Sequence, residues 1–253
     1  MIRRIREMVT TGPPGSAIRR RDRRWAAMVL MAVSTTGAPA QPTPECPPIQ
    51  GTRAAEAVSA NDIPVAHTPS GGYRDAFPAP VLAACTEPMV EDAPDLRGLW
   101  RTVSAVQAEH DSSRLLSVVR FLFWKALGVE RVREPVPAGH PIYAYVERIE
   151  QCGNRIVDIG GGTVADARAD GTVEHGIHDV SAFDFQTPIH VIATYENGAF
   201  VLRPVRIPFI AITRRLDGNG HMVWHRPDLG DLVVTLERIG GPCDTPPGKE
   251  WVR

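Results

Sequence analysis

Several kinds of side chain in this 253-residue sequence could do chemistry, and their spacing narrows what that chemistry is. Glu174-His175-Gly176-Ile177-His178-Asp179 crowds metal-ligating groups together. On a strand His175 and His178 point to opposite faces, because their spacing is odd. His221 and His225 share a strand face but stand about 13 Å apart at the strand rise. Neither pair has the helical H-E-x-x-H arrangement of a zinc site. The expectation is therefore no metal, with a kink at Gly176 as the one device that could swing His175 back. Glu147 with Glu150, or Asp179 with Asp184, would make an acid–base pair only if a cleft brought them together and shifted their pKa values. Ser104, Ser117 and Ser181 lack the G-x-S-x-G or S-x-x-K surroundings of an activated nucleophile. The string Val157-Asp158-Ile159-Gly160-Gly161-Gly162-Thr163-Val164-Ala165-Asp166 places three glycine amides where they could cradle an oxyanion, or else simply turn a hairpin. No catalytic residue and no cofactor is predicted.

The elements that must position these residues are mostly strands. From residue 141 onward the apolar period is two. Ile142–Gln151, Arg155–Ile159, Val164–Arg168, Thr172–Val180, Ile189–Glu196, Phe200–Val205, Phe209–Arg215, His221–Arg226 and Leu232–Ile239 each read as short strands. Cys152-Gly153-Asn154, the glycine run at 160–162, Ala169-Asp170-Gly171, Asn197-Gly198 and Asp217-Gly218-Asn219-Gly220 are turns between them. Asn-Gly and Asp-Gly tolerate positive φ and so favour tight hairpins. An earlier strand runs from Trp100 through Val103 and Val106. One amphipathic helix is predicted at about 112–127, capped by Asp111 or Ser112 and stopped by Gly128. Its polar residues Arg114, Ser117, Arg120 and Lys125 fall within an arc of about 140°, so its broad apolar side is expected to pack hard on the domain; a lid or a membrane-surface helix are the other readings. Eight to ten strands joined by tight turns form an antiparallel meander, and a long meander tends to close because closure removes its edges. The predicted fold is mainly β, an antiparallel up-and-down β-barrel.

Charge divides the chain. Residues 1–40 hold eight Arg against Glu7 and Asp22, while the whole chain has a formal charge of −1, so the rest is acidic. An acidic body excludes a binder that neutralises nucleic-acid phosphates. Arg19 to Arg24, the nine-residue apolar run Trp25 to Val33, and Ala38-Pro39-Ala40 follow the order of a secretory signal. The expectation is an exported protein, periplasmic or secreted, cleaved after Ala40, with no stable membrane span. Residues 41–94 carry ten prolines and few large apolar side chains and read as a mostly irregular leader. Residues 95–240 form the domain and 241–253 a tail. Leu82-Ala83-Ala84-Cys85 matches a lipoprotein processing box but lacks the apolar stretch that lipidation needs. Four cysteines, Cys46, Cys85, Cys152 and Cys243, suit two disulfides in an oxidising compartment. Three pairings are open, of which Cys46–Cys85 and Cys152–Cys243 is the working choice.

Two resemblances bear on function. Asp158-Ile159-Gly160-Gly161-Gly162-Thr163 resembles the phosphate loop of the actin, sugar-kinase and heat-shock ATPase superfamily. That superfamily's other phosphate motif and its adenosine motif are missing here, so a hairpin is expected instead. Asp95-Leu96-Arg97-Gly98-Leu99-Trp100, opening the first strand, resembles the lipocalin and wider calycin superfamily, and the layout is similar to exported bacterial proteins of that barrel type. The superfamily's T-D-Y-type loop is not found. The resemblance implies that Trp100 closes one barrel end with a late Arg packed on it, here Arg238 in Leu236-Glu237-Arg238-Ile239. It also implies a small hydrophobic or amphipathic ligand, or an envelope component, in the barrel, for which Tyr143, Tyr145 and Arg203 are the candidate contacts. The alternatives are a structural or interaction domain whose barrel is filled by its own side chains, and an enzyme with an unrecognised site. The oligomeric state is left open.

Overall fold

The computed structural model describes residues 46, 58–69, 71–108, 114–129, 131–178, 188–205 and 210–248. The predicted export signal lies outside the described residues. The strands are β1 (Gly98–Gln107), β2 (Glu134–Pro135), β3 (Val146–Cys152), β4 (Arg155–Gly160), β5 (Thr163–Arg168), β6 (Asp170–His178), β7 (Pro188–Glu196), β8 (Ala199–Pro204), β9 (Ile212–Leu216), β10 (Met222–Arg226) and β11 (Leu232–Gly240). They form one sheet ordered β5-β4-β3-β1-β11-β10-β9-β8-β7-β6, with β2 paired to the end of β1. Every strand pair is antiparallel. First and last strands pair, Trp100 against Arg238 and Ala105 against Val234, which rolls the sheet up. Among the described residues the ladder is interrupted only between β5 and β6, so the barrel is nearly closed.

Two hairpins obey their turn residues, whereas the predicted turn at Ala169-Asp170-Gly171 falls at the start of β6, where β5 and β6 do not pair. Gly161 (φ 58°) and Gly162 (φ 87°) make the tight β4–β5 turn, and Asn197 (φ 51°) with Gly198 (φ 70°) makes the β7–β8 turn. The phosphate-loop resemblance is thus a hairpin. One predicted strand is shorter than expected. His140 caps a 3-10 turn over Pro141–Ala144, its ring nitrogen accepting from the Ile142 amide, and β3 begins only at Val146. Pro141 presets the φ of a turn's first position and has no amide to give a ladder.

The barrel lumen gathers Trp100, Ile149, Ile156, Val191, Phe200, Met222, Trp224, Val234 and Leu236. A second core lies on the outer side of β3, β4 and β5. There Ala60, Tyr73, Phe77 and Leu82 of the leader cover Val157, Ile159 and Val164. Among its described residues the leader has little regular structure, a 3-10 turn at Ala60–Asp62, yet it is fastened at several points. Arg155 donates to Ala60 O (2.7 Å), Ile63 O (2.6 Å) and Pro64 O (2.9 Å), and bonds Asp166 through both carboxylate oxygens. Glu150 accepts from the Val81 and Leu82 amides, both at 2.7 Å. The Thr68 hydroxyl accepts from the Val164 amide and donates to its carbonyl, occupying the β5 edge that faces away from β4.

Two expectations are corrected. The disulfides are Cys46–Cys243 and Cys85–Cys152. A segment this poor in apolar residues cannot fold on itself, so its cysteines bridge to the barrel rather than to each other. The helix α1 (Arg114–Ala126) exists and Gly128 takes the left-handed position (φ 65°), but it does not pack hard on the domain. Val119, Phe123 and Leu127, one stripe at i, i+4 and i+8, are each more than half exposed. Charge holds this region to the body instead. Arg131 lies 5.7 Å from the Phe121 ring, and Arg131 and Arg133 both reach buried Asp231.

Removing the Arg155 guanidinium strands the buried Asp166 carboxylate and three leader carbonyls. Arg155→Ala should cost about 3–5 kcal/mol of stability in urea unfolding. Peptide mapping without reduction should recover Cys85 with Cys152 and Cys46 with Cys243.

Candidate luminal site

Side chains of β3 alternate between lumen and leader. Glu147, Ile149 and Gln151 point inward, while Arg148 and Glu150 point outward to an ion pair at 3.1 Å. Glu147 and Glu150 therefore never meet. The partner of Glu147 is Asp158, on the inward side of β4 with Ile156. Arg214 reaches them from β9, where Ile212 and Leu216 share its inward register. Its Nη2 donates to Glu147 Oε2 (2.9 Å) and to Asp158 Oδ2 (2.5 Å). Glu147 is fully buried and Arg214 nearly so.

Aromatic rings complete the constellation. Tyr145 donates its hydroxyl to Glu147 Oε2 (2.8 Å) and stacks on Trp224, with centroids 5.3 Å apart and an interplanar angle of 21°. The Arg214 and Arg226 guanidinium carbons lie 4.8 and 5.4 Å from the Trp224 ring centroid. Arg226 is itself held by both oxygens of Asp228 (2.9 and 2.7 Å). Gly160, opposite Glu147 in the ladder, makes room for all this. A Cβ there would lie 2.6 Å from the Tyr145 hydroxyl and 2.8 Å from Glu147 Cβ.

The electrostatics follow from two carboxylates sharing one guanidinium. Burial, with the Glu147 charge beside it, pushes Asp158 up to about 8 against the pull of Arg214. Burial also drives the Tyr145 hydroxyl well above its usual range, reinforced by Glu147 and Asp158. The site thus favours the protonated form of Asp158. Among the described residues, the buried atoms Asp158 Oδ1, Trp224 Nε1 and Thr102 Oγ1 have no hydrogen-bond partner. Thr102 lies on β1 opposite inward Leu236.

The residues named from sequence are distributed unevenly. Tyr145 belongs to the constellation. Tyr143 is half-buried on the 3-10 turn and donates to Val136 O (2.9 Å). Arg203 alternates with Phe200 and Leu202, stands on the outer side of β8, and holds Glu196 with two bonds (2.7 and 2.8 Å). The Arg238 guanidinium carbon lies 4.8 Å from the centroid of fully buried Trp100, whose indole nitrogen donates to Leu96 O (2.8 Å). His221 and His225 each meet a separate carboxylate, Asp217 and Asp231. Asp179, Asp184 and Ser181, and the side chains of His175 and His178, lie outside the described residues. Arg214 and Asp158 were missed as a pair. The available signal was parity: each is a charge in the inward register of a strand whose same-face neighbours are apolar.

No family model matches the chain, and no curated protein matches it. Among solved structures, human cRBP IV is similar over 57% of this chain and 98% of its own, at 13% sequence identity and a TM-score of 0.36.

Because the folded chain keeps a proton on Asp158 that the unfolded chain releases above about pH 4, unfolding sheds a proton between that pH and about 8. Stability from this group should be present at low pH and decline through that window, by up to about 1.4 kcal/mol per pH unit. Urea titrations of wild type and Asp158→Asn across pH 4–9 check this, the variant giving the flatter profile. Gly160→Ala should lower stability by about 1–3 kcal/mol in the same assay.

Proposed function

We propose that the chain is an exported, non-enzymatic β-barrel of lipocalin-like type whose lumen holds a small amphipathic molecule. The polar end of that molecule sits at Asp158 and Trp224, and its apolar part lies along luminal side chains such as Phe200, Met222 and Val234. The observation that carries this is the set of orphaned atoms at Asp158 Oδ1, Trp224 Nε1 and Thr102 Oγ1. A barrel filled by its own side chains pairs its buried polar groups, because each one left unmet costs about 1–3 kcal/mol. A ligand's polar end supplies the partner that Asp158 Oδ1 lacks. Export is supported by the Arg-rich start with its apolar run and Ala38-Pro39-Ala40. It is also supported by two disulfides, which persist in oxidising compartments.

The test is native mass spectrometry of the protein recovered from an oxidising compartment after expression of the full chain. The expected mature form begins at Gln41 and gains the mass of four hydrogens on reduction. It also carries a releasable small molecule, and Asp158→Asn and Trp224→Phe lower its occupancy. A bare protein from several hosts, with binding to no amphiphile added back, would refute the ligand.

A further inference from the structure

We infer that the luminal site takes a cationic head group, an ammonium-bearing amphiphile whose nitrogen lies against the Asp158 carboxylate. This rests on the lumen being a ligand site. The geometry sets two carboxylates, Glu147 and Asp158, on the single guanidinium of Arg214. With both carboxyls ionised, the three groups are one positive charge short. Arg226 does not make up the difference, because both oxygens of Asp228 already hold it. The leftover acceptor is a particular atom, buried Asp158 Oδ1.

The groups around Asp158 come from every element packed on it. Glu147 and Tyr145 come from β3 and the residue before it, Arg214 from β9, Arg226 from β10, and Tyr73 from the leader on the far side. Both tyrosines hold their protons more firmly than usual, so neither changes the charge count. In the empty site a proton on Asp158 restores balance. An ammonium head group does the same, donating an N–H to Oδ1 while the carboxylic proton leaves to solvent. One Asp158 carboxylic acid and one alkylammonium become one carboxylate–ammonium pair and one released proton. A fatty acid would instead bring a third carboxylate to one guanidinium. An alcohol would bond Oδ1 but leave the charge unmet.

Isothermal titration of the full-length exported protein with dodecylamine, 1-dodecanol and dodecanoate at pH 7, in buffers of different ionisation enthalpy, decides the matter. Dodecylamine should bind about tenfold or more tighter than either of the others, the margin of a charge-assisted hydrogen bond over a neutral one. It should release roughly one proton per ligand. Asp158→Asn should remove both the preference and the proton release while dodecanol still binds. The wild-type proton count needs no variant, so the inference stays testable should Asp158→Asn fail to fold. If dodecanol or dodecanoate binds as tightly as the amine, the head-group inference falls and the ligand reading stands. If none of the three binds, both fall.

Discussion

Strand β3 has no side open to solvent, and much of the structure answers to that. Its sequence Val-Glu-Arg-Ile-Glu-Gln-Cys is buried at every position, with the lumen on one side and the leader on the other. Three of those seven residues are charged. An unpaired charge at such a depth would be neutralised or would unfold the strand. Each charge is therefore matched: Glu147 by Arg214 from β9, Arg148 and Glu150 by one another and by leader backbone. The leader and the distant β9 are thus recruited by the same strand, one to each face.

This arrangement explains how the leader, at residues 58–69 and 71–94, is held to the barrel despite its composition. Its buried side chains are few, and its backbone instead meets fixed charges and a strand edge. Arg155 takes three leader carbonyls, Glu150 takes two amides, and Thr68 takes both polar groups of Val164. Hydrogen bonds to charged groups are each worth about 1.5–3 kcal/mol, more than neutral ones. The leader makes up in polar anchors what it lacks in apolar area.

Much of the barrel was legible from sequence because hairpins such as β4–β5 and β7–β8 carried their own evidence, a period of two broken by a glycine run or Asn-Gly. Trp100 and Arg238 were paired through the resemblance of their motifs, and the structure sets them opposite one another on the first and last strands. The luminal constellation was harder. Reading β3 by alternation assumes one wet face; with both faces buried, Glu147 and Glu150 look alike and their opposite roles are invisible. Asp158 was hidden inside a glycine motif with a louder resemblance. Tyr143 was lost to the strand because Pro141 turned the chain before it. The outward aim of Phe123 had no local signal.

The two disulfides have a consequence for how the molecule withstands proteolysis. Cys46 and Cys243 bracket nearly everything described, and Cys85–Cys152 crosses within that bracket. Any single backbone cut between Cys46 and Cys243, in the leader, the helix or a loop, leaves two pieces that are still one covalent molecule. A protease that nicks this chain once produces a clipped barrel, and only a reductant turns the clip into a loss.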